Sequence, residues 1–114
     1  MIDWDKFNEH LQYYDKELIL EVINLFIQDY PQNISTLRKN VEEKDFPQLD
    51  INAHTLKSNC STFGAAEASG LALKLELMGK KQVDEDMKGV LVQFEKAGET
   101  LIGELEQYKN TLTS

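Results

Sequence analysis

The chain is poor in the residues that build crosslinks, membrane spans and phosphate cradles. Its one cysteine, Cys60, cannot pair within the chain, and no Cys/His cluster has metal-ligand spacing, which leaves out disulfide staples and a structural zinc. A reducing, cytoplasmic setting is expected. No apolar run approaches the roughly 18–20 residues a bilayer span requires, and MIDWDKF lacks the basic start and apolar centre of a signal peptide. No membrane role is expected. Positive charge is scarce too: 12 Lys and Arg against 20 Asp and Glu give a formal net charge of -8, the wrong balance for a nucleic-acid surface. The six glycines form no nucleotide loop and no kinase-type metal ligand set is present, so autonomous ATP chemistry is not expected. There is no repeat and no low-complexity segment, and 114 residues point to one domain, 1–114, long enough to bury a core.

What the chain does have is helical periodicity. Asp15 can cap a helix through DKELILEVINLFIQDY, in which Leu18, Ile19, Val22, Leu25 and Phe26 make a broad apolar face. Tyr30-Pro31 is expected to end it, and Pro31 to open a second helix carrying Ile34, Leu37 and Val41. Asp45 and Gln48 resemble a capping box with Pro47 in the first turn, which predicts a helix from about Asp45 towards Gly64. Ala68, Leu71, Ala72, Leu75 and Met78 stripe the next helix. A last, longest one carries Met87, Val90, Leu91, Phe94, Ala97, Leu101, Leu105 and Tyr108. IDWDKFNEHL adds a short helix over one end. No strand-type alternation occurs, so the fold class is all-α, the stripes burying one another in an antiparallel bundle. Gly70, Gly89, Gly98 and Gly103 inside helical patterns mark either close helix contacts or a tolerated cost of up to about 1 kcal/mol each.

Through AHTLKSNCSTFG, residues 53–64, and the turn before it, Leu49, Ala53, Leu56, Cys60 and Phe63 form an uninterrupted core stripe. At about 100° per residue, His54 falls roughly 140° from the centre of that stripe. It faces solvent, with Pro47, Ile51, Ser58 and Ser61 on or near the same outer face and Lys57 on its flank. A neutral imidazole is a legitimate nucleophile, and an ammonium three residues away can offset an arriving negative charge. Ser58, one turn on, is too small to crowd the ring. The bland alternatives are a surface histidine, a singly exposed isoleucine and a solvated lysine.

The run AHTLKSNCSTFGA resembles the signature of histidine-containing phosphotransfer (HPt) domains, A-H-x-L-K-G-S-x-x-x-[apolar]-G-A. ELILEVINLFIQDYPQNISTLRKNVEEKDFPQL is similar to the two helices before that motif, and LALKLE to the helix after it. The resemblance implies an up-and-down four-helix bundle with an extra N-terminal helix, and His54 as the phosphorylated residue. It implies that Lys57 stabilises the phosphohistidine and that Glu76 takes a position beside the histidine often held by Gln or Glu. Ile51, Ser58, Ser61 and Glu76 are the expected partner-facing residues. The chain departs from the signature at Ser58, where glycine is usual, and at Asn59, where serine is usual.

The implied partners are receiver domains of response regulators and of hybrid sensor histidine kinases. Mg²⁺ is expected from the receiver, and no cofactor from this chain. The competing expectation is a helical adaptor that binds without chemistry, supported by Leu73 and Leu77, which lie off the core stripe of their helix unless the N-terminal segment covers them. A metal-dependent bundle enzyme would need inward Glu-x-x-His pairs, and the chain has none.

Overall fold

The computed structural model describes residues 1–113, and every element in them is a helix. These are α1 (Trp4–Leu11), α2 (Lys16–Glu43), α3 (Phe46–Thr62), α4 (Ala66–Lys81) and α5 (Met87–Thr113). Aspartates start the first three. Asp3 accepts from the backbone N–H of Asp5 and Lys6, Asp15 from that of Leu18, and Asp45 from that of Gln48 with Pro47 in the first turn. α2 and α4 stop on left-handed residues, Lys44 and Gln82, whose N–H groups bond back into the last turn. The helices α2 to α5 form the antiparallel four-helix bundle, and α1 closes one end by setting Phe7 against Phe63 and Tyr108.

The expected break at Tyr30-Pro31 does not occur. α2 runs through Pro31 without interruption, so the two helices expected before residue 45 are one. The reason lies in the packing: Ile23, Phe26, Tyr30, Ile34, Leu37 and Val41 are all buried and follow one another at spacings of three and four, straight across the proline. Pro31 itself is exposed. A missing N–H costs one backbone bond, and burial of a six-residue stripe outweighs it. The same register corrects the apolar face of α2, because Ile23 is in the core while Leu18 and Leu25 are exposed.

Two glycines set close approaches. Gly64 has φ +73°, and a Cβ there would lie 2.6 Å from the carbonyl oxygen of Asp3, whose N–H donates to the Gly64 carbonyl. Gly79 on α4 faces the start of α3, where a Cβ would come within 2.8 Å of the Asp50 nitrogen. Of the four glycines first singled out, Gly98 closely meets the Tyr30 side chain and Gly89 the Asp86 side chain, while Gly70 and Gly103 border open space. The N-terminal segment does not cover Leu73 and Leu77, which stay exposed. Among the described residues, no helix is long and apolar enough to cross a membrane.

Candidate functional site

The five residues of the predicted α3 stripe are all buried, and this fixes the rotation of the helix. His54 therefore projects outward, its side chain 60% exposed. Behind it stands Glu76 of α4, whose side chain is only 3% exposed. Oε2 of Glu76 lies 2.7 Å from Nδ1 of His54. Nζ of Lys57 donates to both carboxylate oxygens, at 2.7 and 3.1 Å. The close seat of Gly79 against α3, one turn beyond Glu76 on the same helix, is what brings that carboxylate under the ring.

The electrostatics follow from this triad. The Lys57 ammonium, helped by the hydrogen bond from His54 and opposed by burial, holds the Glu76 carboxyl below the usual carboxylate range. An ionised carboxylate is an acceptor only, so Nδ1 of His54 carries the proton and donates. In the neutral form of the ring the lone pair then sits on Nε2. The arrangement orients an exposed nucleophilic nitrogen and places a negative charge where it stabilises positive charge developing on the ring.

Two expected placements are refined. Lys57, expected on the flank of the histidine, is pinned to Glu76 and its side chain is only 26% exposed. Glu76 is not partner-facing; it lies beneath the ring and supports it. Ile51 and Ser58 are exposed as expected. Ser61 is exposed as well, with its hydroxyl 2.6 Å from that of Ser69 on α4. The remaining motif residue with reactive chemistry, Cys60, is fully buried, and burial pushes its thiol up to about 12, so it is inert. His10, the other histidine, has its Nδ1 3.2 Å from the carbonyl of Thr62 and no carboxylate partner among the described residues.

On the opposite flank of α3 an open groove of about 340 Å³ runs between α2 and α3, lined by Tyr14, Leu25, Phe26, Asp29, Asn59 and Thr62 among others. Sequence reasoning missed it, because Leu25 was counted as core. The signal was there: Leu18 and Leu25 lie away from the stripe that continues past Pro31. No group of three or more His, Cys, Asp and Glu residues able to hold a metal occurs among the described residues.

Comparison with known proteins agrees with the geometry. No curated protein and no solved structure matches the chain. The family model for the Hpt domain matches residues 21–111, which takes in α3 with His54, all of α4 and nearly all of α5. With four-fifths of its length inside that match, the chain belongs to the Hpt domain family, whose members carry out histidine phosphotransfer in phosphorelays.

Proposed function

We propose that His54 is the phosphoryl carrier of this domain, taking the group on Nε2 from an aspartyl phosphate of a receiver domain, or from a sensor kinase, and passing it on. The observation that carries this reading is the Nδ1 to Glu76 hydrogen bond, which leaves Nε2 as the free nitrogen of an exposed ring. Nε2 attacks phosphorus in line, the bond between phosphorus and the aspartate oxygen breaks, and the leaving carboxylate stays in the receiver. The ring becomes cationic as the N–P bond forms. Glu76 meets that charge, much as a buried carboxylate supports the imidazolium of a catalytic triad. Lys57 keeps Glu76 ionised, and can turn part of its charge towards the incoming phosphoryl oxygens.

This chain supplies the nucleophile, its support and a docking face. The acidic pocket and Mg²⁺ belong to the receiver. The docking face comprises Ile51 and Ser58 around the ring, with the groove between α2 and α3 within reach of the same partner. A purely binding role gives no account of a buried carboxylate aimed at an exposed histidine and neutralised by a lysine from the same face.

The test is labelling by phosphorylated receiver domains. The parent chain should take up an acid-labile, alkali-stable label, and His54→Gln should take up none while keeping its melt. Label persisting in His54→Gln, or lost only in His10→Gln, refutes the assignment.

A further inference from the structure

α4 carries two apolar stripes. Ala68, Ala72 and Leu75 turn inward and are buried. Ala66, Gly70, Leu73 and Leu77, spaced four, three and four apart, lie on the opposite side and are exposed, Leu73 at 40% and Leu77 at 39%. This is the spacing of a two-helix seam, and no element of the bundle covers it. Beside its N-terminal half, α1 and α4 enclose an open groove of about 500 Å³, with Ala66, Gly70 and Leu73 on one wall and Lys6 and His10 on the other. A methyl added at Gly70 would meet no atom within 4 Å. A cleft beside Gly70 and a leucine projecting two turns further along the same face are complementary to each other.

We propose that this face is a self-association surface on which a second copy of the chain packs its own α4 antiparallel, each Leu77 entering the cleft beside Gly70 of the other copy. Charge identifies both the occupant and the direction. Glu67, Lys74 and Lys81 stand seven residues apart along one border of the stripe, and none has an ion-pair partner within the chain among the described residues. A parallel copy would set this border against the opposite border of α4, which carries Ser69 and Lys80 and no exposed carboxylate, leaving Lys74 and Lys81 unpaired. In the antiparallel register that seats Leu77 beside Gly70, Glu67 of each copy comes within reach of Lys81 of the other, giving two symmetric pairs. Lys74 meets its own mate near the axis and is the one repulsive contact. α4 is roughly 24 Å long at 1.5 Å per residue, so the buried face belongs to the size class of weak, reversible contacts. The pairing does not depend on the phosphotransfer reading, because His54 projects from a different helix.

The experiment is sedimentation equilibrium of the whole chain from about 10 μM to about 1 mM, the range in which so small an interface would populate. The weight-average mass should rise from 13.1 kDa towards twice that value. Leu77→Asp, at an exposed position, should keep its helical melt and weaken association at least tenfold. Glu67→Lys and Lys81→Glu should each weaken it several-fold, and the double swap should return to within about twofold of the parent, since the antiparallel pair is then restored with its signs exchanged. Lys74→Ala should tighten it. A chain that stays at monomer mass up to 1 mM, or a Leu77→Asp variant that associates like the parent, overturns the surface. A double swap no tighter than the single swaps overturns the antiparallel register.

Discussion

The two flanks of α3 are built in different ways. On the α4 side the helices are in close contact along their length, a glycine meets backbone at Asp50, and the polar groups between them are paired, most of them charged: Glu76 with Lys57 and His54, Lys80 with Asp50, and the hydroxyls of Ser61 and Ser69 with each other. On the α2 side the helices stand apart over grooves of about 340 and 130 Å³, lined largely by neutral side chains such as Asn33, Thr36, Asn52, Thr55 and Asn59. One part-buried bond, from Asn52 to Asn40 at 2.7 Å, ties that flank together. A nucleophile needs its support fixed within a fraction of an ångström. A surface that meets a partner transiently is better served by uncharged groups that lose little on being covered. Under the proposed function, the rigid flank would hold the chemistry and the loose flank would be available for recognition.

The comparison can be broken most severely at Gly79. Gly79→Val would push α4 off α3, destabilising the fold by about 2–3 kcal/mol and separating Glu76 from His54, so both the melt and the transfer rate should fall. Unchanged values of both would show that the close approach is not needed. Next in size is Glu76→Ala, which leaves the Nδ1–H and Lys57 without their acceptor. Transfer should slow roughly 100-fold, and Glu76→Gln, which keeps an acceptor but no charge, roughly tenfold. Equal rates in the two variants would mean that the charge is irrelevant.

Lys57→Ala comes third, at about 1–2 kcal/mol, because it strands a buried carboxylate. The sign of its pH dependence is fixed by Glu76. A carboxyl held below its ordinary value contributes stability that is present above about pH 5 and is lost as pH falls through the lowered value. Removing Lys57 takes away the largest cause of that lowering, so the acid limb of a stability-against-pH curve should move to higher pH. The smallest effects belong to the loose flank. Leu25→Lys and Asn59→Ala should melt within about 0.5 kcal/mol of the parent, yet shift the rate order among a panel of receivers. Equal shifts for all receivers would show that the groove carries no selectivity.

Much of this was legible in the sequence, and the exceptions have physical reasons. The rotation of α3, and with it the outward His54, followed from five apolar residues at regular spacing, because burial of such a stripe leaves only one orientation. α2 was misread because proline is a local signal and the stripe that overrides it is a longer one; Ile23, Ile34 and Leu37 had to be read as a single series. Glu76 was placed beside the histidine by family likeness alone. Its burial and its bond to Lys57 depend on the α3–α4 separation, which Gly79 sets and no periodicity reports. The two grooves are gaps between helices, and a gap has no sequence pattern of its own.

The proline inside α2 also has a mechanical consequence. Residue 31 cannot donate, so the ladder of backbone bonds that stiffens the helix lacks a rung at the carbonyl of Ile27. Bending is easiest where a rung is missing. That point separates the half of α2 that carries Val22, Leu25 and Asp29 along the wider groove from the half secured by Asn40 to α3. The width of the groove can therefore change by flexing α2 about Pro31, while the pinned half and the histidine support on the far side of α3 keep their geometry.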